Sequence, residues 1–351
     1  MPTDIPSLAF PRRAFLAAGA TTLLAATFSR AAAPIRRIRA GFLGIAYSHF
    51  KDKHQLLKTS PDYDLVGLCE EDPTARRGGP ESARWLTREQ LFAEAELIVV
   101  ESGLGRHGPD AMSALRAGKH VHVEKPPATR MSDFEAMAAV ARSRKLLIQV
   151  GYMWRHNPGM NRAMEAAQRG WLGDVYLVRA MMNTLNDAEK RKEWAEFGGG
   201  AMFEQGAHLI DAVVRLMGKP ERISPFLKRT GRFGDALADN TVAVFEYPKA
   251  MAIITSAPLQ PNAGPQRFFE IMGTRGTARV QPLEPPALTL DLGEAAGPYQ
   301  AGRQEVSLPP YRRYVDEFAE LAAAIRESRP LTHGLDLELR VHRALMTACR
   351  M

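Results

Sequence analysis

Hydrophobic positions after residue 38 fall into short runs that alternate with segments of helical spacing. Apolar runs of strand length lie at 39–45, 63–69, 96–101, 120–124 and 146–152. The segments between them place apolar residues three and four apart, and two of these segments begin with the capping residues Thr87 and Ser132. Strands and helices that alternate over about 115 residues predict a doubly wound parallel sheet, which is an α/β fold.

The pattern changes after about residue 160. Strand-like runs separated by Gly and Pro turns lie at 174–182, 240–247, 251–256, 268–273, 278–281 and 287–292. Helical spacing recurs at 162–169, 201–217, 314–327 and 335–348. Because neighbouring strands joined by short turns pair antiparallel, we expect a C-terminal α+β domain with an open, mainly antiparallel sheet. The predicted domains are therefore 34–156 and 157–351.

Residues 1–33 have the pattern of an export signal. Arg12 and Arg13 precede sixteen uncharged residues at 14–29, fewer than the roughly 20 needed to span a bilayer, and alanines follow at 31–33. Paired arginines before an apolar run resemble a twin-arginine signal peptide, which exports folded proteins. We expect a periplasmic or otherwise exported protein with no stable membrane span apart from this segment. An amphipathic helix of the mature domain is the alternative interpretation.

Charge and cysteine content exclude several classes of protein. The net charge of +7 falls to +5 once residues 1–33 are set aside, and no long basic run remains, so nucleic-acid binding is not expected. Two cysteines, Cys69 and Cys349, cannot build a disulfide framework or a cysteine zinc site, and we expect both to be unpaired and buried. His120 and His122 lack a third ligand at metal spacing, so no metal site is predicted.

The turn after the first strand partly matches a dinucleotide-binding motif. Against G-x-G-x-x-G it presents Gly44, Ala46 and His49, one glycine in three, so an ordinary strand-to-helix turn is the alternative. Glu70 ends the second strand 26 residues later, near the spacing of the carboxylate that binds the ribose hydroxyls. A carboxylate there repels a 2′-phosphate, which favours NAD, while Arg76 and Arg77, which follow closely, leave NADP possible.

Three further motifs, taken in order, resemble one enzyme family. They are E-K-P at 124–126, G-Y-M-W-R-H-N-P at 151–158 and G-G-G-A-M-F-E-Q-G-A-H-L-I-D at 198–211. This set resembles the glucose–fructose oxidoreductase, inositol dehydrogenase and rhizopine-catabolism family (Gfo/Idh/MocA). The resemblance covers essentially all of residues 38–348. It implies a Rossmann domain that holds NAD(P), a second domain that presents a sugar or cyclitol site, and a homo-oligomer.

The resemblance also implies roles for individual residues. Lys125 matches the motif lysine between the nicotinamide ribose and the substrate, and His208 matches the acid/base residue. Glu204 stands where the family usually has Asp, and Asp211 lies one turn beyond His208. From spacing alone, Glu204, His208 and Asp211 share one face of a helix. A histidine suits the removal of a hydroxyl proton, and a lysine stabilises the developing alkoxide.

The candidate residues fall into three groups. The catalytic candidates are Lys125, His208, Glu204 and Asp211. The cofactor candidates are Gly44, Ala46, Tyr47, Ser48, His49, Glu70, Glu101, Glu124 and Lys125. The substrate candidates are Trp154, Arg155, Asn157 and Trp194, although Asn157 followed by proline is also a helix-start signal and Trp194 also fits an exposed loop.

Three functions remain open at this point. The first is an exported oxidoreductase with a tightly held nicotinamide that acts on a sugar, a sugar derivative or a cyclitol. The second is an NAD-dependent glycosidase or lyase that oxidises its sugar only transiently. The third is a secreted binding protein on a dehydrogenase scaffold, which the poor glycine turn favours and the intact Lys125 and His208 oppose.

Overall fold

The apolar runs of the first half form the predicted parallel sheet. The computed structural model describes residues 35–351. Its first five strands are β1 (Ile38–Leu43), β2 (Tyr63–Cys69), β3 (Leu97–Val100), β4 (His120–Val123) and β5 (Ile148–Val150). They pair in parallel in the order β2-β1-β3-β4-β5. The intervening helices are α1 (Phe50–Thr59), α2 (Pro73–Arg77), α3 (Arg88–Glu94), α4 (His107–Arg116) and α5 (Met131–Arg144).

The second half forms the expected open and mainly antiparallel sheet. Its strands are β6 (Val175–Met181), β7 (Arg222–Lys228), β8 (Asn240–Tyr247), β9 (Ala250–Ser256), β10 (Phe268–Gly273), β11 (Gly276–Val280), β12 (Leu288–Leu292) and β13 (Gly302–Val306). The order is β13-β12-β11-β10-β6-β9-β8-β7, with β6 and β9 parallel and every other neighbouring pair antiparallel. The predicted fold class is therefore confirmed.

The helices of the second half are α6 (Pro158–Gln168), α7 (Ala188–Ala195), α8 (Ala207–Met217), α9 (Val315–Glu327) and α10 (Leu335–Ala348). Sequence patterns missed β7, β13 and α7. The strands at the two ends of the sheet bury few residues, and α7 is charged around most of its circumference, so none of them has a clear hydrophobic period.

The last helices pack back onto the first half of the chain. The α9 helix lies against β1, while α10 contacts both α5 and α8. The Tyr63 hydroxyl donates to the carbonyl of Phe318 at 2.6 Å, and the Gln149 amide donates to the carbonyl of Glu317 at 3.0 Å. The domain boundary expected at residue 156 falls between β5 and α6 and stays a prediction.

Of two further expectations, the export signal lies outside the residues that the structure describes and the state of the cysteines lies within them. The predicted twin-arginine signal falls on residues 1–33, which lie outside the described residues. Cys69 and Cys349 are free and buried, as expected. From residue 35 to the end of the chain, no helix combines the length and the apolarity that crossing a bilayer requires.

One carboxyl group on α9 is buried without a hydrogen-bond partner. Glu317 is 3% exposed, and neither of its carboxylate oxygens is hydrogen-bonded within residues 35–351. Its closest basic group is His122, 3.8 Å away, but burial and the charge of Lys53 lower the pKa of His122 to about 3, so that ring is neutral. Burial raises the pKa of Glu317 to about 8.

Replacing Glu317 with Gln should stabilise the protein at pH 8 but not at pH 4.5. Because its folded-state pKa is raised, the unfolded chain loses the Glu317 proton first, and stability falls between about pH 4.5 and pH 8. Removing that ionisation should add about 1–3 kcal/mol to the free energy of unfolding at pH 8. Urea unfolding at both pH values measures the difference. Glu327→Gln, on the exposed end of the same helix, is the control, and equal gains at both pH values would contradict the assignment.

Candidate active site

The turn after β1 approaches the neighbouring loop too closely for a side chain. Gly44 has a φ of +82°, and a Cβ built on it would lie 2.3 Å from the Cα of Ser102. Its amide donates to the carbonyl of Cys69 at 2.8 Å. Ala46 and Ser48 are exposed on the same turn. The one glycine that matches the motif therefore occupies a position that only glycine fits, as a phosphate-binding turn requires.

Glu70 lies in a cleft of about 420 Å³ beside this turn. One carboxylate oxygen accepts the amide of Ile45 at 2.9 Å, and the other accepts the amide of Asp72 at 2.9 Å. Arg88 and Arg106 also line the cleft, but both are paired with acidic side chains, Glu71 and Asp110. The glycine turn, the Glu70 carboxylate and the free volume fit the adenosine half of NAD.

The predicted catalytic lysine forms a buried ion pair with Glu204. The Lys125 Nζ donates to Glu204 Oε1 at 2.5 Å and to the Glu204 carbonyl at 2.8 Å. The Tyr47 hydroxyl donates to the same Oε1 at 2.8 Å. Burial raises the pKa of Glu204, but the charge of Lys125 and the two hydrogen bonds outweigh it and hold that pKa below its usual value. Glu204 is therefore an anion whose contacts hold the lysine in place.

His208 lies one turn beyond Glu204 and has no partner for its ring nitrogens. The side chain is 2% exposed, and neither Nδ1 nor Nε2 is hydrogen-bonded to any residue from 35 to 351. Its ring packs against Trp154, with 5.2 Å between centroids. Burial, then repulsion by Lys125 and His49, lowers the pKa of His208 well below its usual value. The result is a neutral imidazole that is free to accept a hydrogen bond from a ligand.

A π-turn changes the helix that carries these residues. The sequence predicts one continuous helix over 201–217, but residues Met202–Gly206 form a π-turn ahead of α8. Within the π-turn the angular spacing of side chains differs from that of a regular helix, so the single face expected for Glu204, His208 and Asp211 stays a prediction. Asp211 accepts hydrogen bonds from Arg155 and Arg215. Within the described residues, Asp211 makes no hydrogen bond to Lys125, and its catalytic role stays a prediction.

Two predicted substrate ligands are engaged inside the protein. Arg155 donates to Asp211 at 2.7 Å and to Glu338 at 2.5 Å, and all three side chains are buried. Asn157 caps α6, where its Oδ1 accepts the amide of Met160 at 3.0 Å. Their polar groups are thus committed to holding the fold, and their substrate-binding role stays untested.

The two tryptophans predicted to contact substrate differ in position. Trp154 packs on the unpartnered His208 ring, and its indole N–H has no acceptor within the described part of the chain. Trp194 lies on α7 and is buried against Ala201 and Leu237, next to the glycine triplet at 198–200. Trp154 is therefore placed to contact a ligand at His208, whereas Trp194 packs against Ala201, the residue before the π-turn, and its indole N–H also lacks an acceptor within residues 35–351.

A buried lysine that the sequence analysis missed organises the cofactor side. Lys53 is fully buried, and its Nζ donates to Glu101 Oε1 at 2.7 Å and to Glu124 Oε1, and lies 2.8 Å from His122 Nε2. Burial lowers the pKa of Lys53, but its attraction to the two carboxylates raises that pKa above the ordinary value. Lys53 looked like a polar residue on an amphipathic helix, and no local signal distinguishes it.

Glu124 connects this lysine to the predicted catalytic residues. Its Oε1 lies 2.9 Å from His49 Nδ1, and its Oε2 accepts the amide of Lys125 at 3.0 Å. Glu101, His122 and Glu124 also place donor atoms within 4.8 Å of one another, as a metal site would. Since the Lys53 ammonium contacts all three, the structure supplies the cation from the protein itself.

Family models match both halves of the chain. Residues 38–152 match the model described as an oxidoreductase family with an NAD-binding Rossmann fold, and residues 160–279 match the Gfo/Idh/MocA C-terminal domain. Among solved structures, GenD2 from gentamicin A biosynthesis, in complex with NAD, superposes with a TM-score of 0.73 at 24% identity. That superposition covers 92% of this chain and 95% of GenD2, and it shows a shared fold.

Curated relatives carry oxidoreductase or dehydrogenase names. The chain is 26% identical to the uncharacterized oxidoreductase YdgJ of Escherichia coli, over 73% of this chain and 75% of that protein. It is 28% identical to trans-1,2-dihydrobenzene-1,2-diol dehydrogenase of Mus musculus, over 57% and 59%. It is 23% identical to scyllo-inositol 2-dehydrogenase (NADP(+)) IolW of Bacillus subtilis, over 67% and 66%. The chain therefore belongs to the Gfo/Idh/MocA family of nicotinamide-dependent oxidoreductases.

Proposed function

We propose that this protein is an exported dehydrogenase that oxidises a hydroxyl group of a sugar, a sugar derivative or a cyclitol. The observation that carries the proposal is the buried Lys125–Glu204 pair beside the unpartnered ring of His208. The names of two relatives, which act on an inositol and on a cyclic diol, support this substrate class.

The site residues divide the work of an alcohol oxidation. When bound, the nicotinamide accepts the hydride that leaves the carbinol carbon. His208 is neutral and takes the hydroxyl proton, while the Lys125 ammonium stabilises the negative charge that develops on the oxygen. Trp154 offers an apolar ring face against which the C–H face of a sugar can pack. Glu204 and Tyr47 keep the lysine ammonium oriented.

The cofactor is expected to be NAD and to stay bound. Gly44 and Glu70 would hold its adenosine half, and the two arginines that line that cleft, Arg88 and Arg106, are paired with acids, whereas Arg76 and Arg77 beside it keep NADP possible. The twin-arginine pattern at 12–13 supports export of a folded protein that already contains its cofactor. A cofactor carried out of the cytoplasm must be reoxidised in place, so a second substrate would return it to the oxidised form.

Folded protein that has been purified and dialysed should still contain a stoichiometric amount of nucleotide. Acid denaturation followed by chromatography identifies it, and absorbance of the intact protein reports reduced nicotinamide after sugars are added. A nucleotide-free extract would contradict a tightly held cofactor. Release of a free aglycone without net reduction would instead favour the transient-oxidation mechanism.

Replacing Lys125 with Met should leave NAD binding intact and lower kcat by about 100-fold or more, because the developing alkoxide loses its buried cation. Stopped-flow measurement of nicotinamide reduction checks the rate, and protein fluorescence checks NAD affinity. Lys249→Met, at the exposed turn between β8 and β9, is the matched control. Wild-type turnover in Lys125→Met would refute the assignment.

We also propose that the open face of the eight-stranded sheet forms a homo-oligomer interface. Phe226 and Met251 are about half exposed on β7 and β9, Val242 and Val244 lie between them on β8, and Leu177 on β6 continues the apolar surface beyond Met251. An apolar sheet face of this kind is typically covered by a partner. Because the same surface recurs on every copy, a second copy of the chain is the simplest partner.

Met251→Glu should convert the oligomer into monomers, because a carboxylate at the centre of an apolar interface loses its hydration without gaining a partner. Light scattering coupled to size-exclusion chromatography measures the mass. Leu185→Glu, an exposed apolar position outside the sheet strands, is the control. An unchanged mass in Met251→Glu, or a monomeric wild type, would refute this interface.

A further inference from the structure

Arg267 differs from every other arginine that the described chain removes from solvent. Within residues 35–351 the other buried or half-buried arginines each form a salt bridge with a carboxylate: Arg88, Arg155, Arg162, Arg191, Arg215, Arg279, Arg313, Arg326 and Arg329. Arg267 is half-buried, and its only side-chain hydrogen bond in that part of the chain runs from Nε to the carbonyl of Asn183, at 2.9 Å. Both terminal nitrogens of its guanidinium are therefore unpartnered.

Near Arg267, the ends of strands β6 and β9 contact the start of the π-turn that carries Glu204. Asn183, which anchors Arg267, follows Met182, whose carbonyl accepts the Ser256 hydroxyl at 3.0 Å. The same hydroxyl lies 3.2 Å from the carbonyl of Ala201, the residue before the π-turn. Arg267 is thus held where β6, β9 and β10 converge on the catalytic side of the sheet. Consistent with this position, the pKa of Arg267 is lowered by burial and by Arg313, and the charge of Glu204 opposes both effects.

We propose that Arg267 binds an anionic group of the substrate, a carboxylate or a phosphate, and so selects acidic over neutral sugars. The inference deepens the proposed function and rests on it. It names a specificity-determining residue and narrows the substrate class to sugar acids or sugar phosphates.

The physical reason is that the half-buried guanidinium has no counter-charge within the described residues, while its unpartnered terminal nitrogens stay accessible to a ligand. Burying a charge without a partner is expensive, and this protein pairs each comparable arginine with an acid. The neighbouring Arg313 is also a cation, but it is neutralised by two hydrogen bonds to Glu284, whereas Arg267 has no carboxylate beside it in the described part of the chain. A guanidinium with Nε fixed by a carbonyl and two free terminal nitrogens presents two parallel donors, which match the two oxygens of a carboxylate or phosphate. The phosphates of the cofactor are expected elsewhere, at the Gly44 turn.

The test compares acidic and neutral sugars of the same configuration. NAD-saturated protein is titrated with D-glucuronate, D-galacturonate and D-glucose 6-phosphate, each against its neutral hexose, and binding is followed by calorimetry. At least one acidic sugar should bind more tightly than its neutral counterpart. Arg267→Met should weaken that binding by about 10- to 100-fold, the range for hydrogen bonds to a charged group, and leave neutral hexoses unaffected. The uronates and the phosphate distinguish the two anion sources.

Arg303→Met, which removes the same charge from an exposed position on β13, controls for a general electrostatic effect. Arg267→Lys should recover part of the affinity, because it restores the charge without the paired donors. No preference for any acidic sugar, or an equal loss in Arg303→Met, would overturn the inference. NAD reduction by neutral sugars alone would also overturn the inference, but it would support the proposed dehydrogenase function. A protein that neither contains nor binds nucleotide would instead refute the dehydrogenase function.

Discussion

The ion pair between Lys125 and Glu204 is the contact on which the site depends. Lys125 follows β4 of the parallel sheet, and Glu204 lies in the π-turn ahead of α8, so the pair joins the two halves of the molecule. Both side chains are buried, and neither charge is tolerable there without the other. The pair therefore holds the lysine ammonium in one place before any substrate arrives, which is the preorganisation that electrostatic catalysis requires.

Charges of opposite sign alternate outward from this pair. Lys53 contacts Glu124, the Glu124 carboxylate accepts the amide of Lys125, and Lys125 contacts Glu204. The Lys53 ammonium thus faces Glu124 and the Lys125 ammonium faces Glu204, whereas His208 is neutral and has no hydrogen-bond partner among residues 35–351. A site built this way keeps its charged groups fixed and leaves one base free, so the proton of a substrate hydroxyl has a single evident acceptor.

Local motifs predicted the parts of the site that neighbouring residues create. The strand-to-helix turn was sufficient to predict Gly44, and the order of the family motifs was sufficient to predict Lys125 and His208 as candidates. Lys53 and Arg267 are not marked by any local motif. Lys53 is distinguished by carboxylates from distant segments that pair with it, and Arg267 by the lack of such a carboxylate within residues 35–351. Arg155 shows the converse: it stands in a recognisable motif, but its guanidinium is bonded to acids 56 and 183 residues away.

Hydrophobic periodicity by itself determined the two sheets and most of the helices, because burial of one face imposes a period of two or of 3.6 on the chain. Short motifs in a fixed order determined the family, because they can be recognised in the sequence without any three-dimensional information. Tertiary structure decided what periodicity does not encode: the poorly buried strands β7 and β13, the π-turn, and the pairing of each buried charge. These depend on contacts between segments far apart in the chain, and a charge in the interior acquires its role only from the group that folding places beside it.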